Sequence, residues 1–169
     1  MENIKKYAEL FSMLYANFDG GKLGKKVAQK MFYFFERMGI ELNLRYGIHY
    51  YGPYSSRLDN MMHILECEDY ICIDTTGPTH VISTGEFSVD NFLSEEEKQI
   101  ATFVIETFAH KKPLELEALA TMDFVASSMN CSDKDEIIEN FKLIKEDKFN
   151  STIIDETYSI LSEIGLISA

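Results

Sequence analysis

The stretch Arg45–Met62, RYGIHYYGPYSSRLDNMM, constrains the fold more than any other. Pro53 fixes its own φ and pushes Gly52 out of the helical region, so the chain must arrive there extended. The residues before it, LNLRYGIHYYGP, are rich in tyrosine and lack helical period, which predicts a short strand. Pro53 is also suited to open a helix, where its missing N–H is no loss. Ser55 and Ser56 are alternative N-caps, and Asp59 lies three after Ser56 at capping-box spacing. Leu58, Met61, Met62 and Leu65 then carry a helix to about Cys67. A Gly-Pro bend thus joins a strand to a helix.

On either side the pattern is mostly helical. Ile4, Tyr7, Ala8, Phe11, Leu14, Tyr15 and Phe18 recur at helix spacing, and the Asp19-Gly20-Gly21 run stops them. A second helix is predicted over Lys22–Met38, with Leu23, Val27, Met31, Phe34, Phe35 and Met38 on one broad face. Lys22, Lys26, Lys30 and Arg37 fall on the other side as a solvated basic stripe, and Gly39 caps the end. After Cys67, YICID and HVIST flank TTGPT, which reads as a hairpin. Four further helices follow. Ser94 with Glu97 forms a capping box for the first, Pro113 starts the second, Ser132 with Asp135 caps the third, and Gly165 ends the last. This order predicts one mainly α, α+β domain over 1–169, with a winged-helix-like lobe at 1–92 and a helical lobe at 93–169.

Charge narrows the function classes. The net charge is −12, carried unevenly: residues 93–169 hold 16 acids and 7 bases, residues 1–92 hold 12 and 9. Such acidity disfavours non-specific nucleic-acid binding. Yet Lys22, Lys25, Lys26, Lys30, Arg37, Arg45 and Arg57 face just Glu36 and Glu41 within 22–57, leaving a specific anionic partner open. No apolar run reaches the ~18 residues of a membrane span. The first residues lack a signal-peptide pattern, and three cysteines without a C-x-x-C fit reduced thiols, so a cytoplasmic location is expected. The Asn130-Cys131-Ser132 and Asn150-Ser151-Thr152 triplets then read as helix-start residues rather than glycosylation sites.

Three segments, GKLGKKVAQKMFYFFERMG, YGIHYYGPYSSRL and LSEEEKQIATFVIETFAHKKPLELEALA, occur in an order that resembles the YwgA-like proteins of bacteria and phages. More distantly it is similar to the Panacea domain, found in antitoxins and in the proteolytic adaptor SocA. The matching positions are Lys22, Leu23, Tyr33, Tyr51, Gly52, Pro53 and Leu93–Glu97, within a resemblance spanning about residues 20–125. The chain departs from the Panacea pattern at Lys22-Leu23-Gly24-Lys25-Lys26, where that pattern is more apolar. The resemblance implies a non-enzymatic module that binds a protein partner.

The candidate sites each have a structural and a functional reading. Gly52 and Pro53, with Ser55 and Ser56, serve shape, and the tyrosines are expected to pack on the Phe32–Phe35 face with their hydroxyls satisfied at its edge. Alternatively, exposed Tyr50, Tyr51 or Tyr54 beside Lys22, Lys26, Lys30 and Arg57 would form an aromatic, cationic surface for a protein partner or for single-stranded bases. His63 and Cys67, four apart on a helix and near Cys72, are a weak metal signal, with Cys67 expected in the core. His49, His80 and His110 stand isolated. There is no G-x-S-x-G, phosphate-cradling glycine loop or H-E-x-x-H, and the acidic runs at Glu95–Glu97 and Asp133–Glu136 are explained by helix capping. No catalytic set, cofactor or metal is therefore expected. A protein-binding module leads. A DNA-binding regulator reading with the Ser55–Glu66 helix comes second, and an enzyme third.

Overall fold

The structure, a computed structural model, describes residues 2–18 and 23–168. The Asp19–Gly21 helix stop and Lys22 lie outside the described residues. The fold is mainly α, with 60% helix and 10% strand. Its elements run α1 (Glu2–Ala16), β1 (Leu23–Gly24), α2 (Lys25–Arg37), β2 (Gly47–His49), β3 (Gly52–Tyr54), α3 (Ser56–Cys67), β4 (Ile71–Asp74) and β5 (Val81–Thr84). They continue as α4 (Glu95–Phe108), α5 (Pro113–Ser128), α6 (Lys134–Lys145) and α7 (Ser151–Glu163).

The chain divides into two compact units: residues 1–46 with 55–111, and residues 47–54 with 112–169. The sequence placed the division at 92/93. Two elements move across that line. α4 belongs with the first unit, where Phe108 stacks on Phe34 at 3.9 Å and 8°. The β2–β3 hairpin belongs with the second, where β3 packs on α5.

In the first unit, α1, β1, α2, α3, β4 and β5 give the expected winged-helix-like order. β4 and β5 are the antiparallel hairpin, and β1 adds to its edge through Leu23↔Ile82 and Gly24↔Val81. A two-residue strand is too short to leave a period in the sequence. Strand alternation is plain in β4, where Ile71 and Ile73 point inward and Cys72 and Asp74 outward.

α2 is the core of this unit, and it starts at Lys25 rather than Lys22. Every residue from Val27 to Phe35 is buried, including Gln29 and Lys30. The expected solvated stripe of Lys22, Lys26 and Lys30 is therefore broken: Lys26 is exposed, whereas Lys30 is 4% exposed. Neighbours cover both faces of α2, so its amphipathic pattern understates its burial. Phe32 stands among Tyr7, Phe11 and Phe35, with ring centroids 4.5–5.8 Å away. Tyr46 packs edge-on to Tyr33 and donates to the Gln29 carbonyl. Tyr7 donates to the Leu42 carbonyl. Burial pushes both phenols well above the usual tyrosine range, with the Glu36 carboxylate adding to it.

The strand-to-helix passage also differs in detail. It is a hairpin, Gly47↔Tyr54 to His49↔Gly52, turning on Tyr50 and Tyr51. Gly52 and Pro53 lie in β3, so Pro53 does not open α3. Ser55 is the cap and Ser56 the first helical residue. Ser55 Oγ accepts from Leu58 N at 3.0 Å and donates to the Leu44 carbonyl at 2.6 Å. The Gln29 side chain clamps the Ser55 backbone, accepting from its N–H and donating to its carbonyl, both at 2.9 Å. A fully buried serine with this many partners tolerates little change. Ser55→Ala removes the cap and orphans the Leu44 carbonyl, and is expected to cost about 2 kcal/mol in urea denaturation, against roughly nothing for exposed Ser56→Ala.

Later helix starts follow the predicted chemistry with one shift. Ser94 and Glu97 form the capping box of α4, and Pro113 opens α5. α6 is capped by Asp133, not Ser132: its carboxylate accepts from Asp135 N and Glu136 N. Asn150 caps α7, and Gly165 follows it at φ 75°. In the second unit α5 is central, packed on α6, α7 and β3. Leu116–Asp123 of α5 is buried throughout, which explains its nearly continuous apolar run.

Candidate functional site

Three tyrosines of the opening motif, Tyr50, Tyr51 and Tyr54, lie on the β2–β3 hairpin of the second unit. Gly52 takes φ 89°, the left-handed position that a side chain resists, and so closes a turn whose tip is Tyr50 and Tyr51. Pro53, which has no N–H to donate, stands opposite Ile48 between the two flanking pairs. Tyr50 is 77% exposed and Tyr51 47%, with their rings edge-to-face at 5.0 Å. The structural reading of the motif expected both rings to pack into the interior, and neither does. Tyr54 is half-buried, its ring 4.8 Å from His49.

Beneath the tip lies a charge cluster that the sequence did not single out. α6 ends at Lys145, where Glu146 adopts φ 50° and a 3₁₀ turn over Glu146–Lys148 redirects the chain. That break points Lys145 and Lys148 at the same atom. Glu117 Oε1, on α5, accepts from Lys145 Nζ at 2.7 Å and from Lys148 Nζ at 2.6 Å. Lys145 also donates to the Tyr50 carbonyl at 2.8 Å, pinning the tip from below. The Lys145 side chain is 2% exposed and that of Glu117 8%, while Lys148 at 26% reaches the rim. Its ammonium sits 5.1 Å from the Tyr50 ring centroid, 5.3 Å from that of Tyr51 and 5.9 Å from that of Phe149. Phe149 is itself buried against Phe141.

Burial alone would raise the Glu117 carboxyl, but the two ammonium groups outweigh it and hold it below the usual carboxylate value. Burial lowers Lys145 more than its bond to Glu117 restores it, and the second ammonium adds repulsion. One carboxylate is thus shared between two lysine side chains.

The remaining candidates lie elsewhere. Arg57 is exposed at the start of α3 and donates to the Asn43 carbonyl at 2.9 Å. On the same helix Asp59 pairs with Lys25 at 2.6 Å. Lys26 and Lys30 belong to the first unit, not to the unit that carries the tyrosine tip. Cys67 is exposed rather than in the core, as is Cys72. His63 faces Asp59 and Glu66 at 4.0 and 3.9 Å. Among the described residues, no three His, Cys, Asp or Glu side chains gather as metal ligands would. A groove along α6 is lined by Asp133, which caps that helix, Asp135 and Glu136, which begin it, and Ile138, Glu139 and Lys142 further on.

The residues that sequence reasoning missed are Glu117, Lys145, Lys148 and Phe149. One signal was available: an acid inside the apolar run of α5 must find a cation, because burying it alone costs several kcal/mol. The chain matches no family model, and no curated protein matches it. Among the described residues, no helix is long and apolar enough to cross a membrane.

Proposed function

We propose that this protein is a non-catalytic module that binds a protein partner through the Tyr50–Tyr51 hairpin tip. The observation that carries this reading is the pairing of two exposed tyrosines with a buried Lys145–Glu117 clasp bonded to the Tyr50 carbonyl. Exposed aromatic rings held in one orientation lose little entropy on docking, which is what a hot spot requires. The resemblance to YwgA-like and Panacea proteins points the same way, toward an antitoxin- or adaptor-like role in bacterial or phage stress or defence, acting in the cytoplasm by masking a partner. The test is quantitative capture from the native host by the native chain and by Tyr50→Ala/Tyr51→Ala. A partner bound at least ~30-fold more weakly by the double variant is expected, about 2 kcal/mol for a hot spot. Equal capture by both proteins, or no reproducible partner, sinks the reading.

The winged-helix-like order of the first unit favours one other reading, a DNA-binding regulator with α3 in the groove. Arg57 and His63 would face phosphates there, against Asp59 and Glu66 on the same helix and Glu68 at its end. Retardation of duplex DNA at low salt that Arg57→Ala abolishes would support it, and unretarded DNA removes it.

A further inference from the structure

The arrangement around Lys148 is that of an ammonium cage. Three aromatic rings, Tyr50, Tyr51 and Phe149, have their centroids within 6 Å of one cation, and a carboxylate oxygen lies 2.6 Å from it. Aromatic faces attract a cation through the ring quadrupole, and clusters of them are how proteins recognise alkylammonium groups. Here the occupant is the chain's own lysine. The two lysines of the cluster are not equivalent, however. Lys145 is buried and bridges Glu117 to the Tyr50 carbonyl, so of the two it is the one bonded to the hairpin backbone. Lys148 donates to the same Glu117 oxygen from the rim, at 26% exposure. Removing its ammonium leaves Glu117 paired and the tip still pinned.

We propose that the Tyr50–Tyr51–Phe149–Glu117 cage is a binding site for an alkylammonium group, that Lys148 is its internal competitor, and that the group it takes is a lysine side chain of the protein partner. This rests on the binding-module reading and specifies the partner's chemistry. Charge selects the same partner. Residues 47–54 and 112–169 together hold twelve acids and five lysines, so this unit attracts a basic surface. An incoming lysine exchanges with Lys148 contact for contact, and the displaced ammonium returns to water, where it is well solvated. Such an exchange gives little affinity by itself. It gives selectivity, since an acidic residue at that position would be repelled by the Glu117 carboxylate and an apolar one brings no charge to the ring faces.

The test uses the intact chain, native and Lys148→Ala, titrated with tetramethylammonium chloride, with a short acetylated and amidated Gly-Lys-Gly peptide, and with its norleucine analogue. Tyrosine ring resonances report occupancy. Lys148→Ala is expected to bind both ammonium probes at least ten-fold more tightly than the native chain and to ignore the norleucine peptide. Adding Tyr50→Ala abolishes the gain. Lys148→Gln, which keeps most of the side-chain length, serves if the alanine variant is not folded by circular dichroism. Saturation by tetramethylammonium without the lysine peptide overturns the lysine-bearing partner. Equally weak shifts in native and variant protein overturn the cage. Those failures leave the binding module standing, because the capture experiment with Tyr50→Ala/Tyr51→Ala decides it separately.

Discussion

Glu117→Ala should lower the stability of the protein by about 3–5 kcal/mol, the usual cost of removing one partner from a buried ion pair. The substitution deletes the acceptor of two ammonium groups and leaves Lys145, 2% exposed, with the Tyr50 carbonyl and a like charge nearby. A loss of that size is about a fifth or more of the total for an ordinary domain, about 5–15 kcal/mol. The penalty lies in the stranded cation, not in the lost attraction. The double variant Glu117→Leu/Lys145→Met should therefore regain most of the stability while still losing the grip on Tyr50. Acid reproduces the single variant reversibly. The Glu117 carboxyl titrates in the folded protein below its ordinary value of 4.5. A depressed carboxyl contributes its full stability above that unfolded value and loses it as pH falls through the folded one. Lys145, lowered by burial, tilts the same way at the basic end, since stability rises with pH wherever the unfolded chain holds more protons. Urea titrations at pH 6 and pH 3 should thus show a larger drop for the native chain than for Glu117→Gln. Parallel drops would mean that the clasp contributes nothing.

How far these features could be read in advance depends on their range in sequence. Caps and stops were legible because they act over three or four residues: Ser94 with Glu97, Pro113, Asn150 and Gly165 all sit where their chemistry requires. The one displaced cap, Asp133 for Ser132, is a choice between adjacent residues of nearly equal capping strength. The β4–β5 hairpin was legible from two β-rich runs around a Gly-Pro turn, and with the helices before it so was the winged-helix-like order. The β2–β3 hairpin was not. Its strands are three residues each, so the turn at Tyr50–Tyr51 looked like the middle of one strand, and Gly52-Pro53 took the blame for the bend. Lys30 misled for another reason: helical period says which residues share a face, not how many faces are covered. The clasp was beyond local reading altogether. Lys145 meets Glu117 across 28 positions and Tyr50 across 95.

Gly85→Ala is expected to be the most damaging substitution of a single atom group in the first unit, at about 3 kcal/mol or more. The reason is space, not backbone conformation. β5 ends by crossing the turn between α3 and β4, where Gly85 N donates to the Tyr70 carbonyl at 2.9 Å and Phe87 N to the Asp69 carbonyl at 3.1 Å. A methyl group at Gly85 would lie 2.0 Å from the Asp69 carbonyl oxygen, 2.5 Å from its carbon and 2.8 Å from that of Tyr70. All three are backbone atoms, so no rotamer change relieves the overlap. The turn cannot give either, because Asp69 already holds φ 58° to make it. Either β5 peels from β4 at this end or the α3–β4 turn shifts and drags the buried Ile71 with it. Gly47 is the matched control: a methyl there meets nothing within 4 Å, and Gly47→Ala should be neutral or stabilising by up to about 1 kcal/mol through the unfolded chain. Urea midpoints of the two variants, with amide exchange at residue 85 to locate the opening, distinguish the outcomes. A Gly85→Ala protein within 1 kcal/mol of the native chain, its residue-85 amide still protected, would show that the crossing is looser than these contacts require.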